Sequence, residues 1–243
     1  MSENPYLSLI IPAYNEAHRL PESLRELIRF CQSLNFDYEV LLVVEKSSDS
    51  SLQLARQLTA GQEKIRVIDN RVHRGKGYAV RSGMIHARGA FRFYMDVDLS
   101  TPLDEIHAFL KYFKEHPEID VLIGNRQHPE SDILKSQSWL REKMGQTFNA
   151  ILRKMVPVTL SDTQCGFKAF RREAAQAIFS RQTIVGFAFD VEVLLLANHL
   201  GYKVADLPVR WSNSPESKVH IVRDSLRMLI DTARIRREMK RGV

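Results

Sequence analysis

The sequence predicts an α/β fold with a Rossmann-like, mostly parallel central sheet flanked by helices. Three observations predict it. Compact aliphatic runs recur along the first half, apolar residues at helical spacing follow each of them, and polar or glycine-bearing turns separate the two. Strands that alternate with helices in this way are joined by right-handed crossovers and lie parallel in one sheet.

The elements follow in order. Leu7 to Ile11 is a short, mostly apolar run closed by Pro12, as a buried parallel strand requires. Leu24, Leu27, Ile28, Cys31 and Leu34 recur at helical spacing. Tyr38 to Val44 is a second strand, residues 52–58 a second helix and Ile65 to Ile68 a third strand. After the loop Asn70 to Gly77 come a helix to Ala87, a strand from Phe91 to Val97, a helix through Ile106, Phe109, Leu110 and Phe113, and a strand from Ile119 to Gly124. The second half is less regular. It predicts a helix from Trp139 to Met155, a loop entering a strand from Asp162 to Phe170, a buried helix from Phe189 to His199 and a strand from Val204 to Trp211.

The chain has 243 residues, enough for one domain or one domain with a small appendage. With 44% hydrophobic and 26% charged residues a sizeable core is feasible, which excludes a disordered chain. Cys31 and Cys165 are far apart and in no metal-ligand pattern, so a reducing, cytoplasmic setting is expected. The apolar stretch near the N-terminus is too short for a signal peptide, and no run approaches the ~20 apolar residues that span a bilayer. Nearly the whole net charge of +6 sits in the last tenth of the chain, where Lys218 to Val243 holds eight Lys/Arg against three Asp/Glu. No nucleic-acid motif accompanies that charge, and no nucleic-acid partner is expected.

Ligands of open α/β sheets bind beyond the carboxyl ends of the strands. Pro12 to Glu16, Glu45 to Asp49 and Asp96 to Asp98 each lie where a predicted strand ends, so all three face one crevice. Asp96 and Asp98 flank Val97, and two carboxylates so close need a cation or a donor network to coexist. A hard ion such as Mg²⁺ or Mn²⁺ shared with a diphosphate supplies that balance; a helix cap is the other common home of such a pair. In the loop from Asn70 to Gly77, Arg74 and Lys76 are placed to meet diphosphate oxygens, and its glycines let backbone approach a ligand or serve a plain surface loop. Asp190 and Glu192 open an apolar helix and suit either a site or a helix start. Cys165 has no neighbouring histidine in sequence and is expected to be structural.

In its order of motifs the chain resembles the family 2 glycosyltransferases that make polyprenyl-phosphate sugars, especially the dolichyl-phosphate β-glucosyltransferase branch. The matching runs are Ile11 to Glu16, Arg74 to Met84, Asp96 to Pro102, Asp162 to Phe170, Phe189 to Glu192, and Ser217-Lys218. The resemblance implies a GT-A fold, expected over residues 1–217, and the residue pattern predicts a basic amphipathic helix over 218–243. It implies transfer of a hexose, with inversion, from a nucleoside-diphosphate sugar (UDP-glucose or GDP-mannose) to a polyprenyl or dolichyl phosphate. Pro12, Ala13, Tyr14, Glu16, Glu45, Arg74, Lys76, Asp96 and Asp98 would then hold the donor, and Asp96 and Asp98 the Mg²⁺ or Mn²⁺. Asp98 and Asp162 would be catalytic, Asp162 as a base or sugar-orienting group. Arg126, Arg141 and Lys218 would bind the acceptor phosphate, since Arg forks grip phosphate in two places. One run departs from the family: where its members carry Asp-Asp-Gly-Ser, this chain reads Glu45-Lys46-Ser47-Ser48. That change alters the pocket that reads the nucleobase.

The basic tail places Val219, Val222, Leu226, Leu229, Ile230 and Ala233 at helical spacing, with Arg223, Arg227 and Arg234 off that face. Such a segment either packs on the domain or lies on an anionic membrane surface as a peripheral anchor. Transfer to another glycan or lipid acceptor, and a sugar-nucleotide-binding relative with an impaired site, are the alternatives to the leading expectation.

Overall fold

The computed structural model describes residues 4–135, 160–213, 228, 230–235 and 237. β1 (Leu7–Ala13), β2 (Tyr38–Glu45) and β3 (Ile65–Asn70) alternate with α1 (Leu20–Gln32) and α2 (Ser51–Leu58). α3 (Lys76–His86), β4 (Phe91–Met95), α4 (Glu105–Glu115) and β5 (Val121–Asn125) follow. After the short β6 (Ile133–Lys135) come β7 (Phe167–Arg171), α5 (Arg172–Arg181), α6 (Phe189–His199), β8 (Val204–Pro208) and β9 (Trp211–Ser212).

The main sheet has seven strands in the order β3-β2-β1-β4-β7-β5-β8. Its strands are parallel except β7, which runs antiparallel between β4 and β5. β6 and β9 form a separate parallel pair. Strand residues alternate between two cores, as the pleat dictates. Leu7, Leu9 and Ile11 join the cluster built with α1 and α4, while Ile10, Leu41, Val43 and Tyr94 join the one built with α3, α5 and α6. α3 sits close to the sheet because position 83 is glycine: a Cβ there would stand 2.4 Å from Ile10 Cγ2.

Two features of this topology open a crevice. From β1 the chain winds outward through β2 to β3, then returns to add β4 on the other flank of β1, which makes the β1/β4 boundary a topological switch point. The β1–β4 pairing also stops at Ile10 opposite Tyr94, although β1 continues to Ala13 along β2. Pro12, which has no N–H to donate, lies in that unpaired stretch and inside the strand.

Beneath the crevice Lys168 of β7 is completely buried. Its ammonium donates to Cys165 O at 2.8 Å and to Asp190 Oδ1, which also accepts from the Tyr94 hydroxyl. α5 follows from Ala174, Ala175, Ile178 and Phe179, all buried on one face. The predicted strand over 204–211 ends at Pro208 instead, and Trp211 starts the short β9. The predicted helix over 139–155 lies outside the described residues. In the tail, residues 230–235 are helical, but the buried side chains are Met228, Thr232 and Ile235. Ile230 and Ala233, expected on the apolar stripe, point the opposite way and are exposed; Met228 and Ile235 pack into the core beside α5 and α6.

Removing one partner of the buried Lys168–Asp190 pair leaves the other charge without compensation. Lys168→Met is expected to cost about 3–5 kcal/mol of unfolding free energy. The double variant Lys168→Met/Asp190→Leu should recover part of that loss; urea denaturation of both checks it.

Candidate active site

The loops after β1 and β2 are stitched together. Asn15, with φ 53°, accepts from Ser48 N at 2.7 Å through its side chain, while its own N–H donates to Ser47 Oγ at 3.0 Å. Glu16 N donates to Ser51 Oγ at 2.7 Å, and Ala17 N to Asp49 Oδ2 at 3.0 Å. The segment 47–51, which begins in the run that departs from the family pattern, thus anchors the loop after β1 that carries Tyr14 and Glu16. Ala13 is buried, Pro12 and Tyr14 half-buried at the crevice. Glu16 is buried, with its carboxylate on Arg19 at 3.2 Å and its carbonyl accepting the N–H groups that start α1.

Glu45, at the end of β2, reaches under the loop that precedes α3. Its carboxylate accepts from Arg74 N and Gly75 N at 3.1 Å and faces His73 Nδ1 at 2.7 Å. The His73 ring stacks on Tyr14, with centroids 3.7 Å apart and planes 8° from parallel. His73 is the residue that the sequence reading did not single out. Its signal is tertiary, because nothing in the local pattern pairs it with Tyr14 or Glu45. The glycines of this loop also differ from expectation. A Cβ at Gly75 would lie 2.7 Å from Val185 O and one at Gly77 2.6 Å from Ile184 O. The small residues therefore admit the 184–186 backbone. Tyr78 N is shared between Gly75 O and Val185 O at 3.0 and 3.2 Å, and Gln182 Nε2 donates to Gly77 O at 3.0 Å. Glu192 fixes that segment by accepting from Thr183 N, Thr183 Oγ1 and Ile184 N. Arg74 lies over the Tyr78 ring.

Asp96 and Asp98 follow β4 at the switch point. Leu99 N donates to Asp96 O at 3.1 Å and Ser100 N to Asp98 Oδ1 at 3.0 Å, with Leu99 at φ 49° closing the turn. Lys76 Nζ meets Asp96 Oδ1 at 2.6 Å. Burial works against the Lys76 charge, yet Asp96, Asp190 and Asp98 together hold its ammonium above the usual lysine range. Lys76, expected at the diphosphate, thus supplies part of the positive charge that the Asp pair requires.

The residues fit a hard divalent ion. Among the described residues no group of three or more His, Cys, Asp or Glu forms a protein cage. Mg²⁺ is commonly held by one or two carboxylates completed by phosphate oxygens and water, which is the set Asp96 and Asp98 offer. The 162–166 loop presses on the same place: a Cβ at Gly166 would stand 2.0 Å from Asp96 Oδ2. In that loop the buried amide of Gln164 keeps Nε2 without a protein partner.

Across the crevice Arg126 and Asp162 form a two-pronged pair, Nε to Oδ2 at 2.7 Å and Nη2 to Oδ1 at 2.9 Å. Arg126 N and Gln164 N donate to the same carboxylate. Burial alone would raise the Asp162 carboxyl, but the Arg126 guanidinium holds it below the usual carboxylate range. Asp162 is therefore a weak proton acceptor and a strong anchor. The Arg126 guanidinium also lies over the Trp211 ring, 5.4 Å from its centre, and Ser212 N donates to Ser100 O. Cys165 is buried, which pushes its thiol up to about 11, as a structural residue requires. Arg141 and Lys218 lie outside the described residues.

The sequence profile described as Glycosyl transferase family 2 matches residues 8–179. Dolichyl-phosphate beta-glucosyltransferase of Dictyostelium discoideum is 34% identical over 244 residues, spanning 96% of this chain and 75% of that protein. Mannosyl-3-phosphoglycerate synthase from Rubrobacter xylanophilus superposes with a TM-score of 0.70 at 17% identity, over 97% of this chain and 75% of that one. Glucosyl-3-phosphoglycerate synthase from Mycobacterium tuberculosis, crystallised with Mn²⁺, uridine diphosphate and glucosyl-3-phosphoglycerate, gives 0.63 at 16% identity, over 94% and 80%. It has also been crystallised with Mg²⁺ and uridine diphosphate. The profile runs from β1 into α5 and so takes in both sides of the crevice, and the chain belongs to glycosyl transferase family 2, as a glycosyltransferase of the GT-A fold.

Proposed function

We propose that the chain transfers a hexose from a nucleoside-diphosphate sugar to a polyprenyl phosphate, with inversion at the anomeric carbon. The observation that carries this reading is the 34% identity over almost the whole chain to a dolichyl-phosphate beta-glucosyltransferase. The crevice supports it: one side offers Asp96, Asp98 and Lys76, the other the Arg126 guanidinium.

In this reading Pro12, Ala13, Tyr14 and Glu16 line the nucleotide end, and Asp96 and Asp98 hold Mg²⁺ or Mn²⁺. The bound ion supplies charge stabilisation for the leaving diphosphate. Lys76 and Arg74 add positive charge beside it. Arg126 receives the acceptor phosphate, with Arg141 and Lys218 joining it by the family resemblance. A phosphate oxygen forms the new bond to the anomeric carbon as the bond from that carbon to the diphosphate breaks, and the nucleoside diphosphate leaves. The attacking oxygen is already ionised near neutral pH, so alignment and charge stabilisation carry the reaction without a strong base. Asp162 then serves by orienting Arg126.

No helix among the described residues is long and apolar enough to cross a membrane. We propose that the lipid acceptor is met at the cytoplasmic surface of a membrane, with the exposed face around Ile230, Arg234 and Arg237 turned toward anionic headgroups.

Purified protein incubated with UDP-glucose or GDP-mannose, Mn²⁺ and a polyprenyl phosphate should yield a hexosyl-phosphoryl lipid, seen by mass spectrometry. Asp98→Ala should reduce this to background with an unchanged melting temperature. Unchanged turnover of that variant with metal present would remove the metal role from Asp98.

Asp162→Asn should lower kcat/KM for the acceptor by about tenfold or more, through loss of a charge-assisted pair. Its carboxyl is held low, so Asp162 stays ionised throughout the neutral range, and the loss should be constant from about pH 6 to 9. An acidic limb that disappears in the variant would make Asp162 the base. Arg234→Glu/Arg237→Glu should float less with anionic liposomes than the parent protein, at about 1 kcal/mol per removed cation.

A further inference from the structure

The position expected to read the nucleobase is already spent. The Glu45 carboxylate is 2% exposed, and its two oxygens take Arg74 N, Gly75 N and His73 Nδ1. Those contacts fill its acceptor capacity. What Glu45 presents to the crevice is a different group, the imidazole of His73.

Three observations define what that imidazole offers. Its Nδ1 lies 2.7 Å from Glu45 Oε2, and an ionised carboxylate only accepts hydrogen bonds, so Nδ1 carries the hydrogen. In the neutral ring Nε2 is then a lone-pair acceptor, on the edge turned away from Glu45. The ring is braced on one face by Tyr14, yet the side chain remains 46% exposed. With the ring neutral, a hydrogen-bond acceptor of fixed tautomer, held against an aromatic plane, stands at the ends of β1 and β2. A nucleobase that meets this edge must offer a donor. Uracil and guanine carry a ring N–H beside a carbonyl, whereas cytosine and adenine carry a bare ring nitrogen at the corresponding place and would set two lone pairs against each other.

Resting on the reading of the crevice as a nucleoside-diphosphate-sugar site, we propose that His73 is the specificity-determining contact for the donor base. Its Nε2 accepts the ring N–H of uracil or guanine, and Glu45 acts as a positioning residue that sets the tautomer. The sequence run that departs from the family pattern thereby keeps base recognition but relays it through one further side chain.

Calorimetric titration with UDP, CDP, GDP and ADP in the presence of Mn²⁺ tests this without any acceptor or turnover. UDP and CDP differ in this part of the ring alone, and GDP and ADP form the matching purine comparison. UDP or GDP should bind the parent protein about tenfold more tightly than CDP or ADP respectively, the worth of one net hydrogen bond. The pair that shows the preference identifies the base. His73→Ala should bring that ratio to within about threefold, chiefly by weakening the favoured nucleotide. Glu45→Gln is the sharper arm. Its amide keeps one oxygen for the two backbone N–H groups and turns its NH₂ toward Nδ1, which moves the imidazole hydrogen to Nε2 and shifts the preference toward CDP or ADP. Equal melting temperatures of parent and Glu45→Gln show that the fold is kept. A full parental preference in His73→Ala, or an unaltered ratio in folded Glu45→Gln, would overturn the proposal. Parent protein that binds none of the four nucleotides would overturn it together with the nucleotide-site reading, whereas binding without discrimination would overturn it alone.

Discussion

The first turn of α6 carries two buried carboxylates that hold opposite walls of the crevice. Asp190 points to the sheet, where it neutralises Lys168 of β7 and accepts from Tyr94 of β4. Glu192, on the same turn, gathers the Thr183 and Ile184 amides and so sets the segment that packs against Gly75 and Gly77. One wall thereby gains the loop of Asp162 and Gly166, because Lys168 also holds Cys165 O. The other gains the start of α3, from which Lys76 reaches Asp96. A buried charge without a partner is costly, and each carboxylate here is placed where its compensation also positions a working residue.

This arrangement distributes charge with little redundancy. Asp96 is balanced by Lys76, Asp162 by Arg126, Asp190 by Lys168, and Glu45 by backbone N–H groups with His73. Asp98, with a single backbone donor among the described residues, at Ser100, keeps the greater part of its oxygen capacity for a ligand.

The sequence was readable where function and structure are local. The aliphatic runs of β1, β2 and β4 and the helical spacing of α1 and α4 each lie within one element, so periodicity finds them. Asp96 and Asp98 share one turn, and their closeness alone demands a compensating charge. The antiparallel entry of β7 between β4 and β5 has no local signature, because strand order is decided by packing of segments far apart in the chain. α5 repeats Ala174, Ala175, Ile178 and Phe179 at helical intervals, but two of its four apolar positions are alanines, which makes a faint pattern. The glycines at 75 and 77 show the limit most plainly. Locally they suit backbone approach to a ligand, and only the folded chain reveals that another segment's carbonyls take that space.

Gly166 carries a consequence for how such a sequence can drift. A single methyl at that position would stand 2.0 Å from the Asp96 carboxylate, and no rotation of the methyl relieves the overlap. A larger residue at position 166 therefore requires the Asp96 side chain to turn, and turning it releases Lys76. The two halves of the crevice, contributed by segments about seventy positions apart, are therefore coupled, and a change in one is felt in the charge pairing of the other.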